Sequence, residues 1–453
     1  MSATLLALTV LLLMAAASPR AEAASTASIS GKVTDSHGNP ITTQDICVSA
    51  DRTEYYENES DHLTTTDSSG DYTITGLAAG SYEVYFSDCE NSARNDVSQY
   101  YDDQTEYESA TTIALTEGQA RTGIDDSLAA ATTISGNVYA GAGTSTPLQG
   151  ICVDTYSTSG SLDYGVEVKT AADGSYTITH VVPGVRYEVE FYDCNPAREY
   201  LTQYYNGVSE NGPGTTVTAT LASPATGIDA HMEKGASISG TVTDSKGNAI
   251  TTEDICVSAL QPDDEAFYSY GEAKTNSSGQ YTIGGLKPGS YDVYFADCYG
   301  STRNDSPQYY DQQNSATFAE AVTLKAAQTQ TGVDASLEPA TTISGHIYAG
   351  SGTSTPLGDI CVYAYIANNT GTYYSYYGSS AQAGADGSYT LTHIEPNVSY
   401  DIEFFECGSG KEYLTQYYDG ASDTLQATTI TPTTSPLTGI DAHMERARAS
   451  AAA

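Results

Sequence analysis

The sequence predicts an all-β fold built from four tandem β-sandwiches of about seven strands each. The first observation behind this prediction is an internal repeat, because residues 45–50 return letter for letter as residues 254–259. The second is an apolar period of two, as at Tyr82, Val84 and Phe86, which is typical of a half-buried strand. The third is the regular spacing of eight cysteines, which favours several small stapled domains over one large core.

The repeat has two nested periods. Cys47 aligns with Cys256 over the long period, whereas a short period of roughly 105 residues relates Cys47 to Cys152. The first repeat therefore resembles the third most closely, and the second resembles the fourth, as if a two-domain unit had been duplicated. The predicted boundaries are a signal peptide at 1–23, sandwich repeats at 24–130, 131–235, 236–339 and 340–446, and a disordered tail at 447–453.

The strands of the first repeat follow one another as short runs separated by polar turns. Turn residues such as Gly, Asn, Asp and Ser cluster at 36–40 and 67–70. After the signal peptide no stretch has a convincing helical period. The apolar residues that mark the strands are Ile29 with Val33, Ile46 with Val48, Tyr72 with Ile74, Tyr82 with Val84 and Phe86, Ile113 with Leu115, and Ile124 with Leu128, with a poorly defined strand near Leu63.

The composition excludes some classes of protein. The 453 residues carry a formal net charge of −40, with 17 basic and 57 acidic side chains, so a nucleic-acid partner is not expected. High net charge with few aliphatic residues is typical of disorder, but 37 tyrosines, the cysteines and the repeat oppose that interpretation. A single catalytic domain spanning the whole chain is not expected either.

The N-terminus indicates the compartment. Residues 5–17 are mostly apolar, too few to span a bilayer, and Ala21-Glu22-Ala23 is an A-x-A-like cleavage site, although no Lys or Arg precedes the apolar run. No later stretch is long and apolar enough for a membrane span. We therefore expect a secreted, extracellular protein, associated with a cell surface or free of it.

One segment resembles a known domain family. Residues 279–293, with Tyr281, Leu286, Pro288, Gly289 and Tyr291, are similar to the signature of the carboxypeptidase regulatory-like domain. The resemblance implies a transthyretin-like (prealbumin-like) sandwich, related to Cna-B domains and to carbohydrate-binding-like folds. It implies little about activity, because such modules accompany enzymes, adhesins and surface arrays alike.

The cysteines are predicted to form one disulfide in every repeat. Each repeat has one cysteine in the Ile-Cys-Val strand and another at the end of the Tyr-rich strand. Metal or redox chemistry is the alternative, but no C-x-x-C pair occurs and the protein is expected to be exported. The predicted pairs are Cys47–Cys89, Cys152–Cys194, Cys256–Cys298 and Cys361–Cys407.

A recurring Gln-Tyr-Tyr segment is the best candidate for a binding surface. Exposed tyrosines beside amides and carboxylates could stack on sugar rings. The alternative is a purely structural role, in which one tyrosine of each pair packs against the sandwich. The absence of Trp argues against sugar binding. The candidate residues are Tyr100, Tyr101, Tyr204, Tyr205, Tyr309, Tyr310, Tyr417 and Tyr418.

Other sites receive weaker support. The acidic turns at 35–39 and 67–71 could hold Ca²⁺, but Asp, Asn, Ser and Gly are ordinary turn residues. Histidines recur in the second and fourth repeats, where shared ancestry is the alternative to a His/Asp metal site. They are His180, His231, His393 and His443.

Two kinds of covalent chemistry are not expected. Cna-B relatives often carry a Lys–Asn or Lys–Asp isopeptide bond, but Lys32 is replaced by Asn137, Thr241 and His346 in the other repeats. No motif of a hydrolase, metalloprotease or nucleotide-binding enzyme is present, so neither an enzyme nor a cofactor is expected.

The leading functional hypothesis is a secreted, non-catalytic structural or adhesive component of the cell surface. The first alternative is a protein that binds polysaccharide through the Tyr-rich segments, as an accessory of a secreted, amylase-like hydrolase system. The second is another accessory part of such a system. A polysaccharide or a surface protein would be the partner, and the oligomeric state is left open.

Overall fold

The computed structural model describes residues 26–53, 62–105, 107–158, 167–209, 214–262, 269–313, 319–367, 377–408 and 412–447. The predicted signal peptide at 1–23 lies outside the described residues, as does residue 448 onward of the predicted tail. The described chain forms four consecutive β-sandwich domains, each with one disulfide, as predicted. The pairs are Cys47–Cys89, Cys152–Cys194, Cys256–Cys298 and Cys361–Cys407.

Domain 1 contains more strand segments than the predicted seven, because the Gln-Tyr segment forms its own short strand and the final strand is interrupted. Ile124 lies in that interruption and is buried. The strands are β1 Ala27–Asp35, β2 Ile46–Arg52, β3 His62–Thr65, β4 Asp71–Leu77, β5 Gly80–Asp88, β6 Gln99–Tyr100, β7 Ile113–Leu115, β8 Ala120–Thr122 and β9 Asp126–Leu128.

Domain 3 repeats this order, and domains 2 and 4 repeat it with one exception each among their described residues: an isolated bridge replaces the strand equivalent to β8 in domain 2 and the strand equivalent to β7 in domain 4. Domain 2 comprises β10 Thr132–Ala140, β11 Ile151–Ser157, β12 Val168–Lys169, β13 Ser175–Val181, β14 Arg186–Asp193, β15 Gln203–Tyr204, β16 Val217–Thr218 and β17 Ala230–Met232. Domain 3 comprises β18 Ala236–Asp244, β19 Ile255–Leu260, β20 Ser269–Lys274, β21 Gln280–Leu286, β22 Gly289–Asp297, β23 Gln308–Tyr309, β24 Val322–Leu324, β25 Thr329–Gln330 and β26 Ala335–Leu337. Domain 4 comprises β27 Thr341–Ala349, β28 Ile360–Ile366, β29 Tyr377–Gln382, β30 Ser388–Ile394, β31 Tyr400–Glu406, β32 Gln416–Tyr417, β33 Leu437–Thr438 and β34 Ala442–Met444.

Short 3-10 turns connect some strands. They lie at Tyr107–Ser109, Tyr205–Gly207, Tyr418–Gly420 and Thr424–Gln426.

Each domain has two sheets. In domain 1 one sheet has the order β4-β1-β8, with β9 also paired to β1, and the other has the order β3-β2-β5-β6, with β7 paired to β5. The alternating apolar residues of both sheets meet in one core, in which Phe86 of β5 packs edge-on against Tyr72 of β4 at a centroid distance of 5.6 Å. The same Tyr–Phe pair recurs in the other three domains.

The first strand of every domain carries a glycine for a steric reason. A Cβ at Gly31 would lie 1.9 Å from the carbonyl oxygen of Ile124, so no larger residue fits there. The Tyr72 hydroxyl donates to that same carbonyl oxygen at 2.7 Å. The closing segment of the domain is therefore held directly over the first strand. The equivalent glycines are Gly136, Gly240 and Gly345.

Candidate functional site

The two tyrosines of each Gln-Tyr-Tyr segment point in different directions. The first lies in a two-residue strand opposite the long strand of its sheet, so that Tyr100 faces Tyr85 and Tyr204 faces Glu190. The second packs against the core from its edge. The residues in that second position are Tyr101, Tyr205, Tyr310 and Tyr418.

In domains 1 and 3 the first tyrosine is also buried. Tyr100 is 7% exposed and Tyr309 is 1% exposed. Their rings pack against Tyr85 and Tyr294 at centroid distances of 4.9 and 5.0 Å. Neither ring presents a face on which a sugar could stack.

In domains 2 and 4 the first tyrosine is half-buried beside a carboxylate. The Tyr417 hydroxyl donates to Glu403 Oε1 at 3.0 Å, and the Tyr365 hydroxyl donates to Glu403 Oε2 at 3.0 Å. Tyr204 faces Glu190 in the same register. In domains 2 and 4 the first tyrosine of the segment and an acid are thus brought together on one sheet.

Domain 1 has a buried carboxylate that sequence reasoning missed. Gln99 Nε2 donates to Asp126 Oδ1 at 2.5 Å, and the Ser127 amide donates to the same oxygen at 2.7 Å. Burial raises the pKa of Asp126 to about 6, and these hydrogen bonds only partly offset the effect. The available signal was small, since Asp126 stands where the other domains have alanine.

The junctions between consecutive domains form a second group of specific contacts. Between domains 1 and 2, the Ala131 amide donates to the Asn95 carbonyl at 2.8 Å, and the Val97 amide donates to the Ala129 carbonyl at 2.7 Å. The Asn95 side chain accepts from the His180 amide at 2.6 Å and donates to the Ala131 carbonyl at 3.2 Å. Asn95 therefore ties the linker and the following domain together.

A histidine of domain 2 closes this junction. His180 Nε2 lies 3.2 Å from Oδ2 of Asp88, whose side chain is 1% exposed. Asp88 also accepts from the Asp96 amide at 2.9 Å, and Arg94 Nη2 lies 2.5 Å from Asp96 Oδ2. Burial raises the pKa of Asp96, and Arg94 opposes that shift.

The junction between domains 3 and 4 repeats these contacts. The Asn304 side chain accepts from the His393 amide at 2.6 Å, and His393 Nε2 lies 3.1 Å from Asp297 Oδ2. Arg303 pairs with Asp305 at 2.5 Å. We call the 1–2 and 3–4 contacts the outer junctions.

The central junction, between domains 2 and 3, is built differently. The Gly235 amide donates to the Glu199 carbonyl at 2.8 Å, which matches the Ala131–Asn95 bond. Gly284 stands where the outer junctions have threonine, and a Cβ there would lie 2.3 Å from the Ala197 carbonyl oxygen. Lys234 and Glu199 form an exposed ion pair at 3.3 Å.

The histidines thus serve two separate structural roles. His180 and His393 contact the preceding domain, whereas His231 stacks on Tyr139 at a centroid distance of 5.5 Å and His443 stacks on Tyr348 at the same distance. Within the described ranges, no three His, Cys, Asp or Glu side chains are grouped closely enough to hold a metal ion.

The acidic turns satisfy their own backbone. Asp35 accepts from the Asn39 and His37 amides at 2.9 Å each, and Asp67 accepts from the Ser69 amide at 2.7 Å. These bonds hold the pKa of both carboxyls below the ordinary value. Lys32 pairs with Asp71 at 2.6 Å on the surface.

Family comparison agrees with the fold. Residues 28–125 and 237–338, which span most of domains 1 and 3, match the family model of the carboxypeptidase regulatory-like domain. The chain therefore contains carboxypeptidase regulatory-like domains in two segments. No curated protein matches the chain.

Among solved structures, the chain is similar to pilins. The alignment with a streptococcal ancillary pilin covers 70% of this chain and 99% of the pilin, at 10% identity and a TM-score of 0.24. The alignment with BcpA, the major pilin subunit of Bacillus cereus, covers 70% of this chain and 100% of BcpA, at 10% identity and a TM-score of 0.18. The alignment with GBS52, the minor pilin of Streptococcus agalactiae, covers 48% of this chain and 98% of GBS52, at 12% identity and a TM-score of 0.23. Among the described residues of our chain, no helix is long and apolar enough to cross a membrane.

Proposed function

We propose that the protein is an exported, non-catalytic structural or adhesive component of a cell surface, in which four stapled domains form a stiff rod. The observation that carries this proposal is the series of junctions. All three close with the same backbone bonds, and each adds contacts that only a docked neighbour can make. Linkers of a few residues with such contacts restrict hinge motion, which is what a spacer between a surface and its target needs.

The covalent chemistry supports an extracellular setting. Every cysteine of the described chain is in a disulfide, and such bonds persist in oxidising compartments. The net charge of −40 keeps a chain with 37 tyrosines soluble without a membrane or nucleic-acid partner.

The test combines location with shape. Antibody labelling of intact producing cells should detect the protein at the surface or in the medium, with residues 1–23 removed. Small-angle scattering of the purified protein should give the distance distribution of an elongated particle. Retention inside the cell, or a near-spherical particle, would contradict the proposal.

A second candidate function is binding of a polysaccharide by domains 2 and 4. It is favoured by the half-buried Tyr417, which lies with Tyr365 on the Glu403 carboxylate and can exchange that contact for a sugar hydroxyl. The test is a polysaccharide pull-down with the double variant Tyr204→Ala, Tyr417→Ala. Lost binding with an unchanged melting temperature would support the sugar-binding function and rank it above the purely structural one.

The matched control uses the same segment in domains 1 and 3. Tyr100→Ala and Tyr309→Ala remove buried rings, so they should lower the melting temperature, at a cost of about 3 kcal/mol per ring, without a separate effect on binding. If these variants alone abolished a pull-down while the fold survived, the assignment of sugar binding to domains 2 and 4 would be wrong.

A further inference from the structure

The first and last strands of every domain are parallel neighbours. In domain 1, β1 pairs with β9 in the register Val33 with Asp126, Thr34 with Ser127 and Asp35 with Leu128. The chain enters the domain at the start of β1 and leaves it after the end of β9. Tension along the chain therefore pulls the two strands past each other, and their hydrogen bonds share the load instead of opening one at a time. The same parallel pairs are β10 with β17, β18 with β26 and β27 with β34.

Side chains lock this joint at the same place in all four domains. An aspartate just before the last strand accepts a hydrogen bond from a backbone amide of the first strand, at 2.8 Å in every case. This bond is additional to the strand pairing and lies along the loaded boundary. The pairs are Asp125 with Lys32, Asp229 with Asn137, Asp334 with Thr241 and Asp441 with His346.

A second lock differs between the two domain types. In domain 1, Ser127 Oγ donates to the Asp35 carbonyl at 2.9 Å, and in domain 3, Ser336 Oγ donates to the Asp244 carbonyl at 3.1 Å. In domain 2 the equivalent residue is His231, whose Nδ1 lies 3.0 Å from the Gly141 carbonyl oxygen. His443 makes the same contact with Gly350 at 2.9 Å in domain 4. We call each parallel joint with its locks the terminal clamp.

The disulfide lies outside the terminal clamp. Cys47 is in β2 and Cys89 follows β5, so the bond closes a loop with a sequence separation of 42 residues between the two loaded ends of the domain. If the clamp yields, the chain can extend only through the residues before Cys47 and after Cys89. The enclosed segment stays closed.

We propose that each domain is a tension-bearing unit, in which the terminal clamp resists force in shear and the disulfide limits how far a yielded domain extends. This inference rests on the proposed structural role, because a rod that joins a surface to a target is loaded along its chain. It adds to that role a defined mechanical response, in which the disulfide of each domain sets the limit of its extension.

The experiment is single-molecule force spectroscopy on the full chain, held by its two ends. Under oxidising conditions we expect four yielding events. With reductant, each event should lengthen by the enclosed segment, which is roughly 140 to 150 Å for 42 residues and slightly more for the 46 residues of domain 4. Events whose length does not respond to reductant would overturn the role of the disulfide.

The clamp itself is tested by His231→Ala. Removal of this lock should lower the yielding force of one event in four, and the other three events in the same trace are the control. The double variant His231→Ala, His443→Ala should lower two. Circular dichroism checks that the variants are folded. Four unchanged forces in folded variants would overturn the clamp assignment.

The two proposals can fail separately. Surface labelling and scattering report location and shape, whereas the force trace reports how a single domain yields. A rod at the surface with reductant-independent events would remove only the mechanical proposal.

Discussion

The outer junctions and the central junction close with the same backbone bonds but with different side chains. At an outer junction, Asn95 and His180 make polar contacts across the boundary. At the central junction, Gly284 lets the backbone of the preceding loop approach directly. The first kind of boundary is joined by hydrogen bonds to buried groups, and the second by close steric fit.

The end of domain 4 explains which contacts belong to a junction. The Leu414 amide donates to the Glu445 carbonyl and the Ala447 amide donates to the Glu412 carbonyl, as at the central junction. The structure describes no domain beyond this point, and Leu414 is 49% exposed. The backbone pairing is therefore a property of each single domain, and the docking depends on Asn95, Asn304 and Gly284. Ala447 is the first residue of the predicted tail at 447–453, and its amide makes this backbone bond at 2.7 Å.

The largest effect is expected from Gly284→Val. The new side chain would collide with the backbone carbonyls of Ala197 and Arg198, at 2.3 and 2.6 Å from its Cβ. Backbone cannot move aside as a flexible side chain can, so we expect a cost of about 3 kcal/mol at the central junction. Scattering should show a larger radius of gyration, and amide exchange should increase in residues 197–201.

The control for this variant is Thr75→Val. Thr75 is the equivalent residue of domain 1 and is exposed. This change should alter neither the scattering nor the exchange. An unchanged radius and unchanged exchange in Gly284→Val would mean that the central junction does not depend on close fit.

A smaller effect is expected from Asn95→Ala and Asn304→Ala. Each removes the acceptor of a histidine amide and the donor to the linker carbonyls, which costs about 2 kcal/mol at each outer junction. Amide exchange at His180 and His393 should become faster. Glu199→Ala, at the equivalent position of the central junction, is the control and should change little, because its side chain forms only an exposed ion pair. Equal effects of all three variants would remove the distinction between the junctions.

Asp126 is a difference between domains 1 and 3, which otherwise carry the same type of junction. Its folded pKa of about 6 is raised above its unfolded value, so its contribution to stability is present at low pH and is lost as pH rises through about 6. Domain 1 should lose about 1.4 kcal/mol between pH 5 and pH 8, most of it below pH 6, and Asp126→Asn should remove this loss. Domain 3, with Ala335 at this position, is the internal control. The measurement is calorimetry of the wild type and the variant at both pH values. If the Asn variant kept the pH dependence of the wild type, the assignment to Asp126 would be refuted.

The smallest effect is expected from Lys234→Ala. The Lys234–Glu199 pair is 61% and 53% exposed, and such pairs contribute at most about 0.5 kcal/mol and are screened by salt. The radius of gyration should stay the same in low and high salt. A clear loss of docking at low salt would assign the central junction to charge instead of steric fit.

Much of the fold could be predicted from local pattern. The period of two placed Ile29, Ile46 and Val84 on buried faces, and the spacing of Cys47 and Cys89 gave the correct pairing. These predictions are reliable because alternation and loop length act within one domain. The interrupted last strand at Ile124 was not predicted, since its path depends on the contact with Gly31.

The candidate site was predicted only in part. The Gln-Tyr-Tyr residues were identified, but whether the first tyrosine is buried, as Tyr100 is, or half-buried, as Tyr417 is, depends on what lies opposite it in the sheet. The histidines were noticed as a recurring set, and a His/Asp metal site was weighed for them against shared ancestry. His180 and His231 each recur once in domain 4, so the sequence does not distinguish their roles. Only the structure shows that His180 contacts the preceding domain and that His231 lies on the first strand of its own domain.

The sequence by itself therefore determined the number of domains, the strand period and the disulfides, because each follows from residues close together in one repeat. The tertiary structure alone decided the junctions and the terminal clamp. Asn95 meets His180 across 85 residues of chain, and Asp125 meets Lys32 across 93. Neither the strand period nor the cysteine spacing reveals contacts of this kind, because they depend on how folded surfaces meet and not on the order of neighbouring residues.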